Sequence, residues 1–385
     1  MPDQTKIPIA HVITTLELGG AQKHALSLIG RLDPEKYERH FICGAEGQLR
    51  AEAERLQGVR VTVVPFLKRR IAPCSDLRAF FFLVGYFIKY RIRLVHTHSS
   101  KAGLLGRWAA WCCGVPGIFH TVHGWSFHAY MPALYRQGCI ILEKISARIT
   151  RRLIVVSRSD EQKGLAARIG SAVCYRRVRC AIDPPAPPDA ELLLREKAAL
   201  QIPAGAAVIT MIACLKPQKN PLDFARVAAR VRRECPETFF LSVGDGILKD
   251  SLAAALRREG VASVCKLLGW QTDISAVLAL TDVVVLTSLW EGLPLVLVEA
   301  MACAKPVVAY AVDGIPEIVQ NALNGYAVEP RAVDEMAERI VRLVRNPSER
   351  RAMGSAGREF VERECFLQPR TMTRAIESIY ALPRR

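Results

Sequence analysis

Short apolar, β-branched runs alternate with longer amphipathic stretches along most of the chain. Ile9–Thr14 reads as a strand, followed by a Gly19–Gly20 turn and a helix over Ala21–Leu32. Phe41–Gly44, Val59–Val64, Leu94–His98, Ile118–Val122 and Leu153–Val156 continue the strands, each with a helical segment nearby. This alternation predicts a parallel sheet wrapped by helices on both faces. Ile182–Asp189 then holds four prolines in eight residues, which bars helix and strand ladder alike and reads as a stiff linker. Strands resume at Val208–Ala213, Phe239–Val243, Val264–Leu268, Val283–Thr287 and Pro306–Tyr310. Helices are expected near Leu222–Glu234, Leu248–Glu259 and Pro316–Asn321. The expected fold is α/β, with two doubly wound Rossmann-like domains facing across a cleft. Residues 1–183 form the first, 184–206 the linker and 207–365 the second, with a C-terminal helix over 366–385 packing back onto the first.

The most apolar run, Ala79–Ile88, is about half the roughly twenty residues that a membrane span needs. Burial is expected for it ahead of an amphipathic surface role. The N-terminus carries no basic stretch followed by an apolar core, so export is not expected. Twelve cysteines are scattered from Cys43 to Cys365 without a CxxC, which suits free thiols in a reducing cytosol.

Charge changes this picture. The 385 residues carry a net charge of +16, and Phe66–Pro185, with 20 basic and 5 acidic residues, contributes +15 of it. Such asymmetry implies an anionic partner for the first half: nucleic acid, a membrane surface or a phosphorylated substrate.

The stretch with the most chemistry is Asp282–Val319. A buried strand ends in the polar loop Thr287–Gly292, and Pro294 suits the first turn of a helix, where a missing N–H costs nothing. Gly292 permits close backbone approach, and the free first-turn N–H groups make an anion site suited to a diphosphate. Glu291 lies in the loop and Glu299 about a turn and a half into the helix, so two carboxylates can grip different parts of one extended ligand.

This Glu-x7-Glu block, EGLPLVLVE, resembles that of retaining glycosyltransferase family four, whose fold is GT-B. The resemblance continues through Gly19–Gln22, Val95–Ser99, Thr121–Gly124, Val156–Ser157, Pro217–Lys219, Val243–Gly246, Leu268–Trp270 and Gly314–Glu317. It implies that Glu299 holds the nucleotide ribose and Glu291 contacts the transferred sugar. It implies that Lys219 and the backbone near Gly292 and Leu293 neutralise the diphosphate, and that His123 faces the sugar. Asp245 would lie near the base, and Gly19 and Gly20 would form a loop beside the diphosphate and acceptor, with His98 on the same side. The resemblance implies retention by same-face attack, so no protein nucleophile is assigned; it also implies metal independence, in keeping with the lack of a positioned DxD motif, and no cofactor is expected.

Two departures stand out. Cys214 occupies the position of a usual Arg in the phosphate clamp, leaving Lys216 as the substitute charge, and Cys180–Asp183 replaces the usual Asn-Gly-Ile-Asp. All eight histidines fall within the first 128 residues, and His96 and His98 share one strand face; without an accompanying carboxylate or cysteine cluster, substrate-facing or core roles outweigh metal binding.

The segment Thr121–Phe127 looks like that of enzymes acting on polyprenyl diphosphate-linked glycans. The expected activity is therefore transfer from a nucleotide sugar, UDP-sugars favoured, to a lipid-linked or oligosaccharide acceptor. The expected place is the cytoplasm, docked on the anionic inner face of the cell membrane, where each basic residue contributes about 1 kcal/mol. A GT-B nucleotide-sugar 2-epimerase and a nonenzymatic nucleic-acid binder are the alternatives; no nucleic-acid module appears, and the aromatics of Phe80–Phe87 read as packed.

Overall fold

The computed structural model of the chain describes residues 6–186 and 189–381. The chain divides into two compact units. One runs to Ala181 and takes in the chain from Gln368 onward; the other is Ile182–Leu367.

In the first unit the order is β1 (Ile7–Ile13), α1 (Gly20–Arg31), β2 (Tyr37–Cys43), α2 (Arg50–Glu54), β3 (Val59–Val63), α3 (Pro73–Lys89) and β4 (Leu94–His98). Then come α4 (Ser100–Cys112), β5 (Gly117–Val122), α5 (Ala133–Arg148), β6 (Arg152–Val155), α6 (Arg158–Ala166) and β7 (Tyr175–Arg177). Seven strands form one sheet in the order β3-β2-β1-β4-β5-β6-β7, and every pairing is parallel. The crossovers to β4, β5 and β6 all run in one direction, so right-handedness puts α3, α4 and α5 on one face; those to β2 and β3 run the other way and put α1 and α2 on the opposite face. The direction reverses between β1 and β4, the topological switch point where α/β sheets bind ligands.

Strand parity sets what each face receives. Ile9 and Ile13 of β1, Leu94 of β4 and Phe119 of β5 join the core under α1, while Ala10, Val12, Val95 and Ile118 join the core under α3 and α4.

The second unit contains α7 (Ala190–Ala199), β8 (Val208–Ile212), α8 (Pro221–Glu234), β9 (Phe239–Val243), α9 (Lys249–Arg258), β10 (Cys265–Gly269), α10 (Ser275–Leu280) and β11 (Val283–Leu286). It continues with α11 (Leu295–Ala302), β12 (Val307–Tyr310), β13 (Gly325–Val328), α12 (Val333–Arg345) and α13 (Pro347–Arg363). Its six-stranded parallel sheet runs β10-β9-β8-β11-β12-β13, with the switch point between β8 and β11. A last helix, α14 (Pro369–Tyr380), belongs to the first unit and packs on α1.

Three expectations change. The stretch 184–206, read as linker, contains α7, because AELLLREKAA is rich in helix formers and Asp189 caps it by accepting from the Glu191 N–H; Pro187 and Pro188 lie outside the described residues. The helix expected near Pro316–Asn321 is a single 3₁₀ turn, Ile315–Glu317. The apolar run in α3 is not buried as a whole: Ala79, Leu83, Tyr86 and Phe87 face the core, whereas Phe81 is 61% and Ile88 64% exposed. One helix has two sides, and here both are apolar.

Candidate functional site

In the second unit, the loops after β8 and β11 flank the switch point and are tied together. The Leu289 N–H donates to the Gln218 carbonyl (2.8 Å), Gln218 Nε2 donates to the Trp290 carbonyl (2.8 Å), and Thr287 Oγ1 donates to the carbonyls of Lys219 (2.9 Å) and Asn220 (3.0 Å). These bonds bring Lys219 Nζ onto Glu291 Oε1, with both side chains largely shielded from water. The Glu291 N–H donates to Asp313 Oδ2 (2.8 Å), and the Gly314 N–H to the Gly292 carbonyl (3.1 Å), so the loop after β12 fixes the other side.

Helix α11 starts directly after this loop, with Pro294 at its cap rather than inside its first turn. Leu293, just ahead of the cap, and Val296 and Glu299 within the helix are partly exposed and three apart, while Leu295, Leu297 and Val298 are buried. Glu299 therefore shares the open stripe with Val296 of the first turn, whose N–H comes too early in the helix to have a helix carbonyl four residues back.

Lys216 caps the 3₁₀ turn Pro217–Lys219. Gly244 (φ +122°) and Gly246 (φ +154°) let the loop after β9 lie directly on the Ala213–Leu215 backbone: a Cβ on either would fall within 2.5 Å of a carbonyl oxygen there. Between them, Asp245 accepts from Lys249 (2.8 Å) and from the Gly246 N–H (2.7 Å), and the Lys249 hydrogen bond holds its carboxyl below the usual range.

In the first unit, Gly19 caps α1 and Gly20 begins it, at the switch-point end of β1. At the matching end of β4, Ser99 takes φ +66°, ψ +149°, a conformation strained for any residue but glycine; its hydroxyl holds it through Thr14 Oγ1 (2.8 Å) and the Thr14 N–H (3.2 Å).

Beside this turn lies a cluster of imidazoles. His11 pairs with His96 in register across β1 and β4, and His98 with Thr121 across β4 and β5, so parity points these side chains to the face under α1 and α14. His98 Nδ1 lies 3.2 Å from His123 Nε2, and His98 Nε2 lies 3.1 Å from His11 Nδ1. His24, from α1, sits edge-on to His123 with ring centres 5.0 Å apart, and neither of its nitrogens has a hydrogen-bond partner. Burial lowers all these histidines below their ordinary value, His11 to about 3 and His24 to about 4, so they are neutral at pH 7. By distance alone two triads, His11–His96–His98 and His24–His98–His123, could hold a cation.

The chemistry-bearing residues thus fall into two groups, one at each switch point. Lys219, Gly292, Leu293, Glu291, Glu299, Asp245 and Lys216 lie at or near the second, and Gly19, Gly20, His98 and His123 at the first. His11, His24 and Tyr380 of the first group were not singled out from sequence. His11 carried a signal, its alternation with Ile9 and Ile13 in β1; Tyr380 carried none.

A family model described as glycosyltransferase family 4 matches residues 18–183, and one described as glycosyl transferases group 1 matches residues 194–360. A UDP-Gal:alpha-D-GlcNAc-diphosphoundecaprenol alpha-1,3-galactosyltransferase from Escherichia coli is 33% identical over 356 residues, 88% of each chain. An alpha-D-kanosaminyltransferase from Streptomyces kanamyceticus is 24% identical over 72% of this chain and 79% of its own. Among solved structures, Anabaena HepE in complex with UDP-glucose superposes with a TM-score of 0.81 at 20% identity, covering 98% of this chain and all of that one. WaaG, a glycosyltransferase involved in lipopolysaccharide biosynthesis, superposes with a TM-score of 0.80 at 12% identity, covering 97% and 99%.

Proposed function

The chain belongs to glycosyltransferase family 4 and has the GT-B fold, and from that premise we propose that it moves a hexosyl group from a UDP-sugar to a lipid-linked glycan precursor, with retention and without a metal. The observation that carries this reading is the meeting of Lys219 and Glu291 at the start of α11, with Glu299 on the same open stripe. A cation, first-turn N–H groups and two carboxylates match a diphosphate, a sugar and a ribose in that order. The 33% identity to a galactosyltransferase whose donor is UDP-Gal and whose acceptor is a diphosphoundecaprenol glycan supports the substrate classes.

In this reading the bond from the anomeric carbon to the β-phosphate oxygen breaks, its electron pair leaving with UDP. The acceptor oxygen bonds the same face of that carbon, and its proton passes to the departing phosphate. Lys219 and the α11 N–H groups offset the charge that grows on the phosphate, which is where stabilisation accelerates the step. His123 hydrogen-bonds the sugar or acceptor hydroxyls, Asp245 borders the base, and Gly19 and Gly20 let the first loop approach the substrates.

The acceptor class also accounts for one surface. The exposed Leu77, Phe81 and Ile88 of α3 and Leu134 and Ile141 of α5, helices on one face of the sheet, are interspersed along those helices with Arg78, Lys89, Arg136 and Lys144. No helix among the described residues is long and apolar enough to cross a membrane. An apolar face set among cations suits peripheral docking on anionic lipid, where a diphospholipid acceptor resides.

The test is product analysis with UDP-galactose, UDP-glucose and UDP-N-acetylglucosamine against a GlcNAc-diphospholipid. An α-linked disaccharide lipid is expected, with Glu299→Gln raising the donor KM. An isomerised sugar nucleotide without transfer would support the epimerase instead and overturn the proposal.

A further inference from the structure

Four imidazoles of the first unit, with Thr121 and Tyr380, form one unbroken hydrogen-bonded chain. Thr121 Oγ1 lies 2.6 Å from His96 Nε2; His96 Nδ1 is hydrogen-bonded to Tyr380 Oη; and Tyr380 Oη lies 3.2 Å from His11 Nε2. His11 Nδ1 then meets His98 Nε2 (3.1 Å), and His98 Nδ1 meets His123 Nε2 (3.2 Å). His11, His96, His98 and Thr121 are at most 1% exposed and Tyr380 2%, whereas His123 keeps part of its surface open. The chain therefore runs from a sealed end to a half-open one.

Burial keeps every ring neutral, so each of His11, His96 and His98 has one N–H and one bare nitrogen, and Tyr380 has a single proton between two imidazoles. Only two arrangements satisfy every link and also give the Tyr380 proton an acceptor within the chain. In one, each donor points toward Thr121: His123 gives its Nε2–H to His98 and its Nδ1 is left as an acceptor. In the other, each donor points toward His123, whose Nε2 accepts and whose Nδ1 carries the proton. Any mixed arrangement either sets two lone pairs or two N–H groups against each other or leaves the Tyr380 O–H without an acceptor in the core, in each case at the cost of an unmade buried hydrogen bond.

We propose that Tyr380, His11 and His96 are positioning residues that set which ring nitrogen of His98 and His123 carries the proton. This rests on the reading of His123 as a substrate-facing group. Tyr380 comes from the returning helix α14, so the last helix of the chain governs whether His123 offers substrate a donor or an acceptor. Metal binding at the same triads is the less favoured use. Both nitrogens of His11, His96 and His98 are already engaged, and among the described residues no carboxylate joins either triad to balance a cation.

The test labels the full-length protein with ¹⁵N-histidine and reads ring-nitrogen shifts at pH 7.5 in the wild type, Tyr380→Phe and Thr121→Val. Both substitutions keep side-chain shape and delete one hydroxyl. Either variant should change the tautomer populations of His98 and His123. Tyr380→Phe should also lower kcat about tenfold, equivalent to about 1.4 kcal/mol, with the donor KM little changed. Unchanged His98 and His123 shifts in whichever variants fold would overturn the proposal, even if stability fell. So would one equivalent of added zinc held tightly with metal-shifted His98 nitrogens. His123→Ala measured in parallel separates the premises: full activity there removes the catalytic reading of His123, while the shifts still decide the chain.

Discussion

Lys219 and Glu291 lie 72 positions apart and share one hydrogen bond, because β8 and β11 are neighbours at the switch point of the second sheet and each residue follows its strand. The pair is tied by loop hydrogen bonds on both sides, so neither group reorganises far when an anion arrives.

Removing the cation should therefore cost turnover more than folding. Lys219→Met is expected to lower kcat about 10²- to 10³-fold, the usual loss for one preorganised charge-stabilising donor. Glu291→Gln should also be impaired, and the double variant should fall well short of the product of the two single effects, since contacting residues are not additive. Steady-state kinetics on the four proteins of the cycle checks this; full additivity would show that the contact has no part in the reaction.

Acid should destabilise the first unit before carboxylates titrate. His11 and His24 are buried and neutral, with values lowered from 6.5 to about 3 and about 4. Below pH 6.5 the unfolded chain takes up protons that the native state refuses, so stability falls as pH falls through that window. The slope approaches about 1.4 kcal/mol per pH unit for each such group. Urea unfolding at pH 7.5, 6.0 and 5.0 measures it, and a flat profile would contradict the burial of these rings.

A buried ion pair joins α4 to α5. Arg107 Nη2 donates to Glu143 Oε2 at 2.8 Å, and Arg107 Nε donates to the Gly103 carbonyl at 2.7 Å, with the guanidinium sealed from water. Glu143→Ala leaves that charge unpaired and should cost about 3–5 kcal/mol. Denaturant midpoints give the number. A loss under 1 kcal/mol would mean that water reaches the guanidinium.

The apolar face set among cations should govern membrane association. Phe81→Asp with Leu134→Asp is expected to abolish sedimentation with phosphatidylglycerol vesicles, and 0.5 M salt to weaken it in the wild type, since screening acts on the cationic part. Transfer to a short-chain soluble acceptor should survive the double substitution. Equal sedimentation of both proteins would place docking elsewhere.

Much of the placement of the second unit's candidate residues was legible in the chain. Glu291 and Glu299 are fixed by a spacing that any strand–loop–helix preserves, and Gly292 and Pro294 announce that loop. The α3 helix was harder, because a run apolar at nearly every position has no period from which to read a buried side, and only packing against α4 chooses Leu83 and Phe87 over Phe81.

Sequence alone determined the two α/β units, the strand parity that puts His96 and His98 on one face, and the strand–loop–helix turn that holds Glu291 and Glu299, because each follows from local periodicity and backbone sterics. Tertiary structure decided that Lys219 reaches Glu291, that His11 completes the row in β1, and that Tyr380 closes it from the far end of the chain. Those contacts depend on which strands become neighbours and where the last helix returns, and strand order is set by the burial of whole faces, which no short window of residues encodes.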